Sequence, residues 1–162
     1  MSPDMSAIIL KAKELARADD EVGAMLLADQ LIAQHPEEME AWLLRGYLYE
    51  RQGNHALAAA DLTCAIDLNS SEPHLFYSRG RFRFQLGEDE SAVEDFGSAL
   101  ELCDSLKNDY YREELHFWRA EALLRIGKKN QALKDLSMVS DRYQTWTYAL
   151  RSKLDLVRDC KT

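Results

Sequence analysis

Large apolar, small and turn-forming residues recur along the middle of the chain at a fixed interval of 34 residues. Each of two consecutive segments has an aromatic residue near its start, a glycine four residues later, a second glycine further on, and two alanines that flank a large apolar residue. These residues are Trp42, Gly46, Gly53, Ala58, Leu62 and Ala65 in the first segment and Phe76, Gly80, Gly87, Ala92, Phe96 and Ala99 in the second. The pattern predicts two helices in each segment, joined by a short turn at the second glycine.

The alternation of small and large residues has a simple packing explanation. Glycine and alanine allow two antiparallel helices to approach closely, and the aromatic and leucine side chains fill the space beside them. Gly53 is followed by Asn54, and Gly87 by Glu88 and Asp89, so a helix-ending glycine precedes a polar residue that can cap the next helix. Each segment is therefore predicted to form a helical hairpin.

The period, and most of the order W-x2-L-G-x2-Y…A-x3-F…A, resemble the tetratricopeptide repeat. The resemblance extends over nearly the whole chain and is strongest between Met39 and Leu106. It implies an all-α fold, a right-handed superhelical solenoid of antiparallel helix pairs. It also implies a non-catalytic module for protein–protein interaction.

The repeat register describes the chain as a single domain over residues 1–162, with three to four repeats. Asp19 occupies the place of Gly53 and Gly87 in a degenerate first repeat, and the glycine of the last repeat, Gly127, comes six residues late. We place the additional residues in an insertion that extends the first helix of the last repeat. The predicted repeats are 5–38, 39–72, 73–106 and 113–146, with an insertion at 107–112 and a capping helix at 147–160.

An arginine and an aspartate also recur at fixed places in the repeat. The arginines at repeat position 7 are Arg45, Arg79 and Arg119, and the aspartates at position 23, on the facing helix, are Asp61, Asp95 and Asp135. We predict an ion pair within each repeat, because an arrangement that recurs identically is typical of a structural pair rather than of a ligand site.

In tetratricopeptide repeat proteins the first helices of successive repeats line a concave groove, and the resemblance implies the same for this chain. The corresponding positions are rich in arginine and aromatic residues, which are enriched in binding hot spots. The implied partner-binding residues are Lys13, Arg17, Tyr47, Arg51, His74, Tyr77, Arg81, Phe84, Phe117, Glu121, Arg125, Tyr148 and Arg151. For each aromatic residue, packing between neighbouring first helices is an alternative of about equal weight.

We expect the groove to accept an extended or helical peptide segment that carries apolar anchors and carboxylates. Reversal of Arg51, Arg81 and Arg125 to Glu is then expected to abolish binding. The carboxylate clamp that members of this family use for the C-terminal tails of heat-shock chaperones is absent, which disfavours a chaperone-tail adaptor. Its positions here hold Leu43, Tyr47, Ser78, Glu114 and Trp118.

The distribution of charge narrows the class of partner. The first 106 residues carry 8 Lys and Arg against 20 Asp and Glu, a net charge of −12, whereas the remaining residues carry 12 against 8, a net charge of +4. An acidic body argues against nucleic acid as a ligand, because phosphate neutralisation dominates duplex binding.

Two alternatives to groove binding stay open. A cytoplasmic guard protein, either a toxin-neutralising immunity protein or a secretion chaperone, would use the acidic outer surface. Charge reversal at Glu37, Glu38, Glu88 and Glu90 would then abolish binding. A self-assembling scaffold would instead stack its acidic front on the basic tail of the next copy.

The sequence contains no clear catalytic, metal-binding or membrane motif. The 4 histidines are dispersed, Cys64, Cys103 and Cys160 are not paired as C-x-x-C, and Asp95-Phe96-Gly97 lacks the other motifs of a kinase. No basic leader precedes an apolar core, and no apolar run approaches the length of a membrane span. We therefore expect a cytoplasmic protein with no enzymatic activity, cofactor or metal, and with no binding to nucleic acid or membranes.

Overall fold

The computed structural model describes residues 3–107, 111–141, 143–145 and 151–161. Helices account for most of these residues, together with one antiparallel ladder of two-residue strands, β1 (Gln144–Thr145) and β2 (Arg151–Ser152). The helices are α1 (Pro3–Arg17), α2 (Glu21–Gln34), α3 (Met39–Arg51), α4 (His55–Leu68), α5 (Pro73–Leu86), α6 (Asp89–Leu106), α7 (Arg112–Arg125), α8 (Lys129–Leu136) and α9 (Lys153–Lys161).

In the described part of the chain, the helices form four pairs, α1 with α2, α3 with α4, α5 with α6 and α7 with α8. The second helix of each pair also contacts the first helix of the next pair, and α9 covers the last pair. Apolar clusters follow this stack from α1 to α9, so each repeat buries its apolar face against its neighbours. The all-α solenoid predicted from the sequence is confirmed.

A residue in the left-handed backbone region follows the first helix of every pair. Gly53, Gly87 and Gly127 take this conformation with φ between 71° and 79°, and Asp19 takes it in the first repeat with φ of 62°. Glycine enters this region without a steric cost, and aspartate tolerates it better than most other residues. The degenerate first repeat therefore turns in the same way as the later repeats.

Short polar side chains cap two of the second helices. Asp20 Oδ1 accepts a hydrogen bond from the amide of Gly23 (2.9 Å), and Asn54 Oδ1 accepts one from the amide of Leu57 (3.3 Å). Glu88, which precedes α6, makes no such bond. The predicted cap is thus confirmed at Asn54 and wrong at Glu88, because glutamate is not among the residues whose short side chain suits this position.

Gly80 marks a very close approach between the two helices of the third repeat. A β-carbon on Gly80 would lie 2.8 Å from Cε1 of Phe96, which is fully buried between α5 and α6. At Gly46, the equivalent position of α3, a β-carbon would lie 3.5 Å from Cβ of Asp61, which is an ordinary contact distance. The glycine is therefore a packing requirement in the third repeat but not in the second.

The additional residues before the last repeat lengthen the second helix of the preceding pair. α6 has 18 residues against 14 in α4, whereas α7 has 14, as many as α5. Leu100 and Cys103 continue the buried face of α6 and pack in the same cluster as Leu115 of α7. The expected extension of the first helix is therefore wrong, and residues 108–110 of the predicted insertion lie outside the described residues.

The closing helix α9 starts at Lys153 rather than at residue 147. Ser152 Oγ accepts a hydrogen bond from the amide of Asp155 (3.3 Å), while Asp155 Oδ2 accepts one from the amide of Ser152 (2.9 Å). This reciprocal arrangement is a capping box, which marks the beginning of a helix. From there α9 buries Leu156 and Cys160 in the cluster that closes the last repeat.

The predicted ion pair between arginine and aspartate forms in three repeats. Nη2 of the arginine lies 2.8 Å from the carboxylate in Arg45–Asp61, 2.7 Å in Arg79–Asp95 and 2.6 Å in Arg119–Asp135. Nε donates to the same carboxylate in each repeat, so every pair is bidentate. Because the aspartates are buried, these pairs hold the two helices of a repeat in one register.

The same arginines reach back to the preceding repeat. Nη1 of the arginine in the second repeat donates to Asp29 of α2 (2.9 Å), and Nη1 of the arginine in the third repeat donates to Thr63 Oγ1 of α4 (3.1 Å). In the last repeat the equivalent partner position is Gly97, where a β-carbon would lie 3.7 Å from Nη1 of Arg119. The link between repeats therefore lacks one hydrogen bond at Gly97.

We expect Gly80→Ala to lower the free energy of unfolding by about 1–3 kcal/mol, because the added methyl group overlaps the ring of Phe96. Gly46→Ala is the matched control and is expected to raise the free energy of unfolding by up to ~1 kcal/mol, because alanine favours the helix. Urea unfolding followed by circular dichroism measures both. Equal effects of the two substitutions would contradict the packing difference between the repeats.

We expect Gly97→Thr to be more stable than Gly97→Val by about 1 kcal/mol, because the threonine hydroxyl gives Nη1 of Arg119 an acceptor. Valine has the same branched shape and a similar helix propensity, so the comparison isolates the hydroxyl group. Thermal unfolding of the two variants provides the measurement. A valine variant as stable as the threonine variant would show that the new hydrogen bond does not form.

Candidate binding groove

The predicted binding residues from Lys13 to Arg125 lie on two neighbouring pairs of first helices, whereas Arg151 lies in β2. α1 contacts α3, and α5 contacts α7, through sides that carry repeat positions 5, 9 and 13. The candidate groove therefore has two halves, one formed by α1 and α3 and the other by α5 and α7.

The first half contains an open cavity of about 430 Å³, which we call the α1–α3 pocket. Its lining residues are Ile9, Lys13 and Arg17 of α1 and Glu40, Leu43, Leu44 and Tyr47 of α3. The volume falls within the range of ~300–1,000 Å³ that is typical of ligand pockets. Tyr47 is 37% exposed, so its ring is available at the entrance.

Two cations stand at the rim of the α1–α3 pocket. Lys13 and Arg17 are exposed, and neither side chain makes an ion pair or hydrogen bond with another residue that the structure describes. They are four residues apart on one helix, so both lie on the same face. Glu40 contributes a carboxylate to the α3 wall. The rim thus presents unpaired positive charge within the more acidic part of the chain.

Arg51 and Arg125, both predicted to contact a partner, are bound to the backbone of the preceding first helix. Arg51 Nη2 donates to the carbonyl of Ala16 (2.8 Å), and Arg125 Nη1 donates to the carbonyl of Phe84 (3.0 Å). These carbonyls belong to the last turns of α1 and α5, and each also accepts a bond from an amide of the following turn, that of Asp19 (3.4 Å) or Gly87 (3.2 Å). The two arginines therefore clip neighbouring first helices together, and their reversal to Glu would disturb this packing.

On α5 the position that corresponds to Arg51 and Arg125 is not occupied by an arginine. Gln85 stands there, and its side chain is exposed. Between α3 and α5, both described over their full length, no side chain makes the equivalent bond. The two halves of the groove are thus held internally but are not clipped to each other.

Arg81 occupies a different environment from the two clip residues. Its guanidinium carbon lies 5.7 Å from the ring centroid of Tyr77 and 5.6 Å from that of Trp118. Its Nε is buried without a hydrogen-bond partner in the described structure. Glu114 accepts hydrogen bonds from the hydroxyl of Tyr77 and from Nε1 of Trp118 (3.4 Å). The rings beside Arg81 are therefore held in place by a carboxylate that does not pair with Arg81.

Three of the predicted aromatic contacts lie mostly below the groove surface. Phe117 has no exposed area and packs on Tyr143 at a ring distance of 5.1 Å, and Phe84 packs edge-on against Trp118 at 5.4 Å. The prediction that Phe84 and Phe117 contact a partner is therefore replaced by a role in the core. Tyr77 is also largely buried. Its burial, and to a smaller extent its bond to Glu114, raises the pKa of its hydroxyl, which therefore remains a hydrogen-bond donor.

The last predicted residues bind one another. Arg151 Nη1 lies 3.1 Å from Oε1 of Glu121, and Arg151 also pairs with Asp159 of α9. Burial raises the pKa of the Glu121 carboxyl, and its Oε2 has no hydrogen-bond partner. His74 is exposed in the first turn of α5, 3.6 Å from the carboxylate of Glu72. Tyr148 lies outside the described residues.

The sequence reasoning missed part of the pocket lining. Ile9, Glu40 and Leu44 line the α1–α3 pocket but were not among the predicted binding residues. They occupy repeat positions 5, 2 and 6, which the family register assigns to the groove. The repeat register therefore contained the signal for all three residues, although only Ile9 lies in the degenerate first repeat.

Two kinds of feature are absent from the described part of the chain. There, no group of three His, Cys, Asp or Glu side chains converges in a way that could hold a metal ion. No helix in the same residues combines the length and the apolar composition that a membrane span requires.

Comparison with known proteins links the chain to one repeat family. The sequence profile of the family described as Tetratricopeptide repeat matches residues 23–73. A relative, DnaJ homolog subfamily C member 3 of Gallus gallus, is 26% identical over 159 residues, which cover 94% of this chain and 32% of that protein. The chain thus spans about a third of the length of this relative.

Solved structures share the fold at low sequence identity. MamA superposes with a TM-score of 0.73 at 16% identity, over 85% of this chain and 72% of that chain. YrrB, a TPR protein described as having an unusual peptide-binding site, gives 0.69 at 19% identity over 80% and 64%. The TPR2B domain of yeast Sti1, in its complex with pHsp70, gives 0.67 at 18% identity over 76% and 99%. Together with the 34-residue period and the stacked helix pairs, these similarities show that the chain has the fold of tetratricopeptide repeat proteins, with a match to that family's sequence profile over residues 23–73.

Proposed function

We propose that this chain is a non-catalytic module that binds an extended peptide segment of a partner protein in its groove. The tetratricopeptide repeat fold is a scaffold for protein–protein interaction. In our proposal the peptide places an apolar side chain in the α1–α3 pocket and a carboxylate beside Lys13 and Arg17. The observation that carries the proposal is the apolar cavity with two unpaired cations at its rim.

The α1–α3 pocket suits an apolar anchor. Ile9, Leu43 and Leu44 provide an apolar surface, and the ring of Tyr47 adds a wall that is both apolar and polar. Burial of one leucine or phenylalanine side chain from water contributes about 1.5–3 kcal/mol. This is a large share of the free energy of a micromolar peptide complex, which is about −8 kcal/mol.

Charge complementarity supports an acidic segment. Lys13 and Arg17 stand on one face of α1 with no acidic partner among the described residues. An arginine binds a carboxylate in a bidentate manner, and a nearby lysine adds a second positive charge. The acidic body around this rim repels other acidic surfaces, so the attraction is confined to the groove.

The pocket is also held in its binding shape before a ligand arrives. Both walls are helices, and the bond from Arg51 to the carbonyl of Ala16 fixes α1 against α3. A preformed site loses less conformational entropy on binding than a flexible one. The structures of similar proteins support this use of the fold, since YrrB has a peptide-binding site and the Sti1 domain is in a complex with pHsp70.

We expect the double substitution Lys13→Glu with Arg17→Glu to weaken peptide binding at least about tenfold, because two attractive charge contacts become repulsive. The probe is a peptide selected on the wild-type protein from a random library, and fluorescence anisotropy measures its affinity. Lys11→Glu is the matched control, because Lys11 is exposed on the same helix and does not line the α1–α3 pocket. Equal affinities of the double variant and the control would refute the proposal.

The double variant, together with charge reversal on the acidic surface and a measurement of molar mass, separates the two alternatives. A guard protein that uses its acidic surface would keep its partner in the double variant and lose it when Glu37, Glu38, Glu88 and Glu90 are changed to Lys. A self-assembling scaffold would instead show a molar mass that rises with protein concentration and falls with salt. Light scattering of the protein alone measures this.

A further inference from the structure

We infer that Arg81 forms a second, carboxylate-binding subsite in the α5–α7 half of the groove. This subsite binds an acidic residue of the same peptide at a set distance from the apolar anchor. This inference rests on the proposed function. It adds the spacing and the chemistry of the second contact to the proposal.

Arg81 differs from every other arginine on α3, α5 and α7, three helices that the structure describes in full. The others have an oxygen acceptor within the protein, either a carboxylate or a backbone carbonyl, whereas Arg81 has none among the described residues. Its guanidinium is held over the rings of Tyr77 and Trp118 instead. Stacking on aromatic faces keeps the charge and leaves the two terminal nitrogens, Nη1 and Nη2, available to an external carboxylate, whereas Nε is buried.

The two rings beside Arg81 are fixed by hydrogen bonds. Glu114 accepts from the hydroxyl of Tyr77 and from Nε1 of Trp118, so its carboxylate is occupied by donors of the ring residues. The neighbouring Glu113 accepts a bond from the amide of Ser140 (2.5 Å). The nearby acidic side chains are thus engaged elsewhere, and the subsite keeps a guanidinium without a carboxylate partner between fixed aromatic walls.

The spacing between the two subsites follows from the stack of first helices. The α1–α3 pocket lies between the first and second of these helices, and Arg81 lies between the third and fourth. Packed helices are about 8–10 Å apart, so two steps along the groove are about 16–20 Å. An extended peptide rises about 3.3 Å per residue. The acidic residue is therefore about five or six positions from the apolar anchor.

The test selects phage-displayed random peptides, long enough to span both halves, on the wild type and on Arg81→Gln. We expect wild-type peptides to share an apolar residue and an Asp or Glu about five or six positions away. Peptides selected on Arg81→Gln are expected to keep the apolar residue and to lose the acidic preference. Circular dichroism confirms that the variant is folded, and Arg158→Gln, at an exposed residue of α9, is the matched control.

One selected peptide then gives the coupling between the two groups. Replacing its acidic residue by the amide, or Arg81 by Gln, is expected to weaken binding about tenfold, and both changes together no more than either alone. Arg81→Lys is expected to recover only part of the affinity, because an ammonium lacks the planar donor pair. Additive losses, or an acidic preference that persists in Arg81→Gln, would overturn the subsite.

Failure of this inference differs from failure of the proposed function. Peptides that carry an apolar anchor and depend on Lys13 and Arg17, but show no acidic preference at the second position, would overturn the Arg81 subsite alone. A library that yields no apolar-anchored peptide on the wild-type protein would contradict the proposed function together with the subsite.

Discussion

The close and registered contact between the two helices of each repeat is the constraint on which the other features of this protein depend. Small residues such as Gly80 allow the approach, buried large residues such as Phe96 fill the adjacent space, and a bidentate arginine–aspartate pair sets the register. Because the same arginine reaches the preceding repeat, one residue type holds helices within a pair and between pairs. The first helices are thereby brought side by side, and the proposed groove depends on that order.

Arginine has three physical roles along the first helices. At repeat position 7 it neutralises a buried aspartate, and at position 13 Arg51 and Arg125 satisfy carbonyls at the end of the preceding first helix. At position 9 Arg81 lies over two aromatic rings and has no acceptor in the part of the chain that the structure describes. The protein thus uses most guanidinium groups of its described part for its own architecture, and we propose that Arg17 and Arg81, which have no acceptor among the described residues, bind an external anion.

The unpaired positive charges are unevenly distributed along the proposed groove. The α1–α3 pocket combines an apolar lining with Lys13 and Arg17, and the α5–α7 half offers Arg81. At the far end the pair between Glu121 and Arg151 closes the surface, since each charge already has a partner. An acidic body around these cations restricts attraction to the concave side, which favours a peptide segment over a broad charged surface.

Much of the fold could be predicted from the sequence, because local patterns repeat at a constant interval. The helix pairs, the turns at Gly53 and Gly87 and the recurring ion pairs each depend on residues close in the repeat. The start of α9 was also encoded locally, in the capping box of Ser152 and Asp155, although the repeat register pointed elsewhere.

Only the tertiary structure decided which of the predicted groove residues are available to a partner. Arg51, Arg81 and Arg125 are the same residue type and were all predicted to line the groove, but the groups that surround them in the structure differ. A carbonyl of the preceding first helix accepts a bond from Arg51 and from Arg125, whereas Arg81 lies over the ring of Tyr77 on its own helix and that of Trp118 on α7. The sequence by itself therefore determined the repeat architecture, because it follows from periodic local preferences. Packing between repeats determined which charged side chains lack a partner, because this depends on whether another helix places an oppositely charged group or a carbonyl beside them.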